Sequence, residues 1–165
     1  MIKKNQIIKE YATSFLDEDK LIAFLSFYNF LNNNKLGIRK TGRKINGSWA
    51  ITYKNKSIGR FNLDSSWSIN YFYLFFRNEC SDKFEKYLSH ELKDFILSNI
   101  NTKAVCCVKG TCHSKENMTI LGKTFNNRVC VCYPVILIDP NGKMLEYAKE
   151  LVLIGKNIIA EVAAN

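Results

Sequence analysis

The sequence predicts an α+β fold in which an antiparallel sheet packs against N-terminal, central and C-terminal helices. Three observations carry this expectation. Apolar residues recur at helical spacing near the start, middle and end of the chain. Between Leu36 and Phe76 the period changes to two, the mark of strands. Short strand patterns then separate the central helix from the last one. The 165 residues fit one domain, 1–165, with residues 1–16 as a possible helical extension. A chain of this length buries roughly 70% of its unfolded surface, so packing can hold it without disulfides. Eleven Phe, eight Tyr and two Trp argue against disorder.

Residues 4–15 read as a short helix. Asp17 opens a second one, with acids at 17–19 placed against the positive end of its dipole. That helix runs to about Asn32 and stops in an Asn32-Asn33-Asn34 run. Leu21, Ile22, Phe24, Leu25, Phe27, Tyr28, Phe30 and Leu31 make it apolar almost all round, which predicts deep packing. Trp49, Ile51 and Tyr53 then alternate with Ala50, Thr52 and Lys54. Asn55-Lys56 reads as a turn, Ile58 to Leu63 as a strand, and Asp64-Ser65-Ser66 as another turn. Trp67 to Phe76 begins by alternating and ends apolar on both faces, as a central strand does.

Asp82 is expected to cap a helix through Ser98, with Glu85 as its reciprocal partner. Phe84, Tyr87, Leu88, Leu92, Phe95 and Ile96 form its apolar stripe. Strands follow near 103–108, 118–121 and 128–138. Asp139-Pro140 places Asp at the cap and Pro in the first turn of the last helix. Its buried face is predicted to be Met144, Ala148, Leu151, Val152, Gly155, Ile158, Ile159 and Val162.

The first ten residues carry charges too often for a signal peptide. The longest apolar-rich run, Leu21 to Leu31, is interrupted by Ser26 and Asn29 and is too short to cross a bilayer. A cytoplasmic protein with no membrane partner is expected. Its six cysteines would then be thiols or metal ligands, not disulfides.

Five of those cysteines, Cys106, Cys107, Cys112, Cys130 and Cys132, fall within residues 106–132, with His113 among them and Cys80 apart. Cys130 and Cys132 sit two apart on a predicted strand and share a face. Such soft donors select zinc. The candidate ligands are Cys106, Cys112, His113, Cys130 and Cys132. Cys107 can replace Cys106, because adjacent strand residues face opposite sides. No Cys-x-x-Cys knuckle is present. The competing reading is that the thiols are small buried hydrophobes.

Cys112 and His113 are sequence neighbours whose side chains diverge, so they make a poor nucleophile and base. His90, the other histidine, falls off its helix stripe and reads as a solvated residue. Gly37, Gly42 and Gly47 are spaced like turn punctuation, not like a phosphate loop. No enzymatic activity is expected.

The net charge is +9, and no acid occurs between Asp19 and Asp64. Nine bases do: Lys20, Lys35, Arg39, Lys40, Arg43, Lys44, Lys54, Lys56 and Arg60. This stretch suggests a nucleic-acid partner through residues 35–60. Only five of the twenty-four bases are Arg, fewer than bidentate phosphate readers favour. Alternation puts Trp49, Ile51 and Tyr53 opposite Thr52 and Lys54, and Phe61 and Leu63 opposite Arg60. The aromatics therefore read as core and the bases as the solvated side. Trp49, Tyr53, Trp67, Tyr71 and Tyr73 also fall in register on one sheet, where amphipathic rings can line a ligand pocket.

The N-terminal helical segment, Trp49 to Lys54 (WAITYK), Ile58 to Phe61 (IGRF), the aromatic strand and the following helix resemble the YdhG-like small domains. The closing strand, Asp139-Pro140 and the final helix are similar too. The resemblance spans residues 17–163 and implies a compact α+β fold with no established reaction. The cysteine cluster departs from that group. The expected function is a non-enzymatic domain binding a small molecule or protein partner through its aromatic sheet. The alternatives are a cysteine-ligated zinc protein and a nucleic-acid binder.

Overall fold

The computed structural model describes residues 2–41, 47–63, 66–71, 84–102, 115–130 and 134–163. The helices are α1 (Ile2–Phe15), α2 (Glu18–Asn33), α3 (His90–Ser98) and α4 (Gly142–Val162). The strands are β1 (Gly37–Lys40), β2 (Gly47–Tyr53), β3 (Lys56–Leu63), β4 (Trp67–Tyr71), β5 (Lys115–Ile120), β6 (Lys123–Cys130) and β7 (Val135–Ile138). A five-stranded antiparallel sheet has the order β1-β2-β3-β4-β7, and β5-β6 form a separate two-stranded sheet. The protein is therefore α+β, with helices flanking the sheet. Among the described residues no helix is long and apolar enough to cross a membrane. The chain divides into two compact units, Met1–Ile69 with Leu137–Val152, and Asn70–Ile136 with Leu153–Asn165.

In the first unit, Asp17 caps α2 by accepting the Lys20 N–H at 3.1 Å. At the other end Leu36 N–H bonds the Leu31 carbonyl and Lys35 N–H the Asn32 carbonyl, both at 3.0 Å. Lys35 sits at φ 56°, completing a Schellman closure. The expectation that α2 is buried all round does not hold. Ala23, Phe24, Phe27, Tyr28 and Leu31 are buried, while Ile22 is 62% exposed. A helix lying on one side of a sheet buries one stripe and leaves its flanks to solvent.

The β2–β3 turn falls one residue earlier than predicted, at Lys54-Asn55. Tyr53 pairs with Lys56, and the two turn residues have φ 44° and 63°. This is the left-handed pair of a two-residue hairpin loop. Thr52 pairs with Ser57 and Ile51 with Gly59, which leaves Ile58 as an inserted bulge residue. That extra residue lets an early turn and the aromatic register of β3 coexist.

A ladder of rings joins helices to strands in this unit. Tyr11 of α1 meets Trp49 edge-on at 5.5 Å, and Trp49 stacks on Phe61 at 5.4 Å. Phe24 of α2 lies 5.6 Å from both Phe61 and Trp67, and Phe27 lies 5.8 Å from Trp67. Gly47 is a packing residue here, not turn punctuation. A Cβ there would overlap the Leu63 carbonyl and the Tyr11 ring.

Asp139 was expected to cap the last helix. Its carboxylate instead accepts the Trp67 N–H at 2.8 Å, while its own N–H donates to the Trp67 carbonyl at 2.7 Å. The helix begins at Gly142, and Leu145 N–H bonds the Asn141 carbonyl at 3.1 Å. Pairing with β4 holds Asp139 at φ 44°, outside helical geometry. Leu145, Ala148, Leu151 and Val152 are the buried residues of α4 in this unit.

In the second unit, the helix expected over 82–98 is interrupted. Asp82 lies outside the described residues. Ser89 has ψ 162° and caps α3 by accepting the Leu92 N–H at 3.2 Å. A local side-chain bond thus restarts the helix within a continuous apolar stripe, and Phe84, Leu88, Leu92 and Ile96 are all buried. Ile154 and Ile158 are buried on α4, whereas Val162, predicted to be buried, is 54% exposed near the helix end. The strand expected over 128–138 is two strands, and β6 starts earlier, at Lys123. Leu121 at φ 49° and Gly122 at φ 76° form a second two-residue loop between β5 and β6. The strand expected over 103–108 and residues 72–76 of the aromatic strand lie outside the described residues.

Candidate functional site

Residues paired across antiparallel strands share a face. Lys40, Trp49 and Phe61 form one row across β1–β3, while Arg39, Ala50 and Arg60 form the next, on the other face. Gly37, Thr52 and Ser57 form a further row on the Arg39 face. Thr41 extends that face: its hydroxyl lies 2.9 Å from the Ser48 hydroxyl. One face is therefore aromatic and the other small and polar, as the alternation implied, but the bases fall on both: Arg39 and Arg60 on the small face, Lys40 and Lys56 on the face of Trp49 and Tyr53.

Among the aromatic candidates, Trp49 (3% exposed), Trp67 (0%) and Tyr71 (2%) are interior residues. Trp49 and Trp67 belong to the ring ladder of the first unit. Tyr53 is half-buried beside the hairpin turn, with the Lys54 ammonium 5.9 Å from its ring centre. Tyr73 lies outside the described residues. Burial pushes the Tyr71 hydroxyl well above its ordinary range. The folded state thus favours neutral Tyr71, and its contribution to stability is lost as pH rises through the unfolded value near 10.0. Tyr71→Phe should therefore flatten the fall in melting temperature above that pH. Parallel melting curves for the two proteins up to pH 11.5 would show that the tyrosine carries none of the alkaline loss.

The bases of the acid-free run divide by environment. Lys20 pairs with Asp17 at 3.1 Å and Asp139 at 3.5 Å. Its ammonium is raised above the usual lysine value, first by the Asp17 hydrogen bond and then by the charge of Asp139. Arg60 is half-buried. Arg43 and Lys44 lie outside the described residues. Lys35, Arg39, Lys40, Lys54 and Lys56 are exposed. Lys35, Arg39, Lys40 and Lys56 have no ion-pair partner among the described residues. By the register Lys40 lies in the Trp49 row and Lys56 opposite Tyr53, on one face, while Arg39 lies in the Ala50 row on the other. At a rise of roughly 3.3 Å per row, Lys40 and Lys54 are about 16 Å apart along the strands, so the five cations are spread over both faces of β1 and the β2–β3 hairpin.

No family model, curated protein or solved structure matches the chain. The similarity to YdhG-like domains therefore rests on the residues quoted for it alone.

Of the metal candidates, Cys106, Cys112, His113 and Cys132 lie outside the described residues, as do Cys107 and Cys80. The backbone of Cys130 ends β6, paired with Lys115. Among the described residues no group of three or more His, Cys, Asp or Glu side chains is placed to hold a metal. His90 is solvated, as its helix position implied: its side chain is 90% exposed and pairs with Asp94 at 3.1 Å. A hollow of about 460 Å³ in the second unit is lined by Thr102, Lys123, Thr124, Phe125 and Asn126. None of these was singled out from the sequence, because Lys123 to Asn126 carry no motif and the strand predicted there began only at 128.

Proposed function

We propose that this protein is a non-enzymatic binding domain whose partner is a nucleic acid, held through β1 and the β2–β3 hairpin. One observation carries this reading. Lys35, Arg39, Lys40, Lys54 and Lys56 are all exposed along β1, its approach and the β2–β3 hairpin, in a run of chain that has no acid. A surface of one sign attracts a polyanion, and the release of its counterions supplies the affinity. Fluorescence anisotropy with a labelled mixed-sequence oligonucleotide tests it. Saturable binding that weakens when these residues are neutralised supports the reading. No binding at low salt would sink it. Among the described aromatic candidates, a small ligand on the sheet is left Tyr53 as its point of access, since Trp49, Trp67 and Tyr71 fill the interior.

A second reading, zinc held by cysteines, is favoured by the β5–β6 hairpin. Lys115 pairs with Cys130 and follows Cys112 and His113 by three and two residues in sequence. The hairpin thus pairs two described residues, Lys115 and Cys130, that adjoin the cysteine-bearing stretches in sequence. In a cytoplasmic protein these cysteines would be free to act as thiolate ligands. Elemental analysis of untagged protein should give near-stoichiometric zinc with few reactive thiols, and chelator should lower the melting temperature. Metal-free protein whose thiols react only after unfolding would make the cysteines packing residues.

A further inference from the structure

We infer that the nucleic acid lies on the small, polar face of the sheet, where short hydroxyl and amide side chains meet its phosphates beside Arg39. This inference rests on the nucleic-acid reading above. The aromatic face is already covered. Tyr11 of α1 packs on Trp49, and Phe24 and Phe27 of α2 pack on Phe61 and Trp67. Lys149 of α4 donates to the Ser26 hydroxyl of α2 at 3.2 Å, which places the first half of α4 beside α2.

The other face carries rows of hydrogen-bonding groups. Thr41 and Ser48 have their hydroxyls 2.9 Å apart, and Ser48 pairs with Asn62. The Asn62 amide donates to the Ser68 hydroxyl at 3.2 Å, which carries this row onto β4. Thr52 and Ser57 pair in the row nearest the hairpin turn. All six of these residues are half-buried, so each keeps part of its surface at solvent. Between the two rows lies Ala50, with Arg39 on one side and Arg60 on the other. No acid occurs on β1, β2 or β3 to repel an anion.

These groups are of the kind that phosphate oxygens take, namely Arg together with Ser, Thr and Asn side chains. The Ser68 oxygen already accepts from Asn62, which leaves its hydroxyl hydrogen for an outside acceptor. The Thr52 hydroxyl lies over Gly37, so no side chain from β1 covers it in that row. Apart from the two arginines, no side chain in these rows is longer than asparagine. Such a face cannot enter a groove to read base edges, whereas phosphates lie outermost. Lys40 on the edge strand and Lys56 beside the turn sit at the rim, where four-carbon stems let their ammonium groups swing toward the same backbone.

The test is fluorescence anisotropy with a labelled DNA duplex of about 20 base pairs, measured across a salt series. Thr52→Val, Ser57→Ala and Ser68→Ala together should lower affinity by about tenfold. The slope of log affinity against log salt should stay as in wild type, because neutral donors release no counterions. Thr52→Glu should lower affinity by at least about tenfold, by setting a like charge against the phosphates. Ile22→Glu adds the same charge at an exposed site on α2 and should change affinity by no more than about threefold. Melting curves establish which variants are folded, and the triple variant decides alone if Thr52→Glu is not. Wild-type affinity in the folded variants would overturn this inference and leave the nucleic-acid reading standing. A dimer that Thr52→Glu splits in sedimentation would give the face to a second copy and overturn it too. Failure of the wild-type protein to bind the duplex, or tighter binding of polyglutamate, would remove both.

Discussion

Trp67→Ala is expected to lower the unfolding free energy by about 3–5 kcal/mol, enough to leave much of a marginally stable domain unfolded. The ring is fully buried and lies 5.6 Å from Phe24 and 5.8 Å from Phe27. Its backbone is tied to Asp139 at both N–H and carbonyl. Truncation would remove the element that both α2 rings pack on and leave a cavity bounded by a fixed backbone. Trp67→Phe should lose only about 1 kcal/mol. It keeps an aromatic ring and deletes an indole N–H that is buried with no hydrogen-bond partner among the described residues. Urea denaturation of the three proteins measures both differences. Similar small losses for the Ala and Phe variants would mean that the ladder is not the core of the first unit.

The second large effect concerns binding. Combining Lys35→Gln, Arg39→Gln, Lys40→Gln, Lys54→Gln and Lys56→Gln should weaken nucleic-acid affinity by at least about 100-fold. Each side chain is exposed, so each substitution should shift stability by about 0.5 kcal/mol or less. A melting curve for the variant separates lost binding from lost folding. The two predictions separate the buried rings of the sheet from its exposed cations. Removing an aromatic unfolds the domain, whereas removing the cations leaves it folded and without its partner.

Much of this division was legible in the sequence because strand side chains alternate. Trp49, Ile51 and Phe61 could be assigned to the interior, and Thr52 and Arg60 to the opposite face, without coordinates. What escaped was set by local backbone chemistry. Lys54 and Asn55 both adopt positive φ, a state that a Lys-Asn pair does not advertise as Asn-Gly does. Ile58 reads as one more apolar strand residue, yet it is the bulge that sets the hairpin register. Asp139-Pro140 carries every sign of a helix start, but pairing with Trp67 claims the Asp first. Ser89 breaks a helix whose apolar stripe runs on unbroken, because a cap depends on one hydroxyl and not on periodicity. The cationic stretch was visible as an acid-free run. Which of its bases were already committed was not, since Lys20 finds Asp139 from 119 positions away in sequence.

The claim that the exposed cations of β1 and the hairpin bind phosphates is tested most directly by the salt dependence of the wild-type protein's affinity for a labelled DNA duplex. Five phosphate contacts predict a slope of about −4.5 in log affinity against log salt, a loss of about 500-fold between 50 and 200 mM. A slope near zero, with affinity unchanged across that range, would contradict the account and show that the exposed cations of β1 and the hairpin make no phosphate contacts.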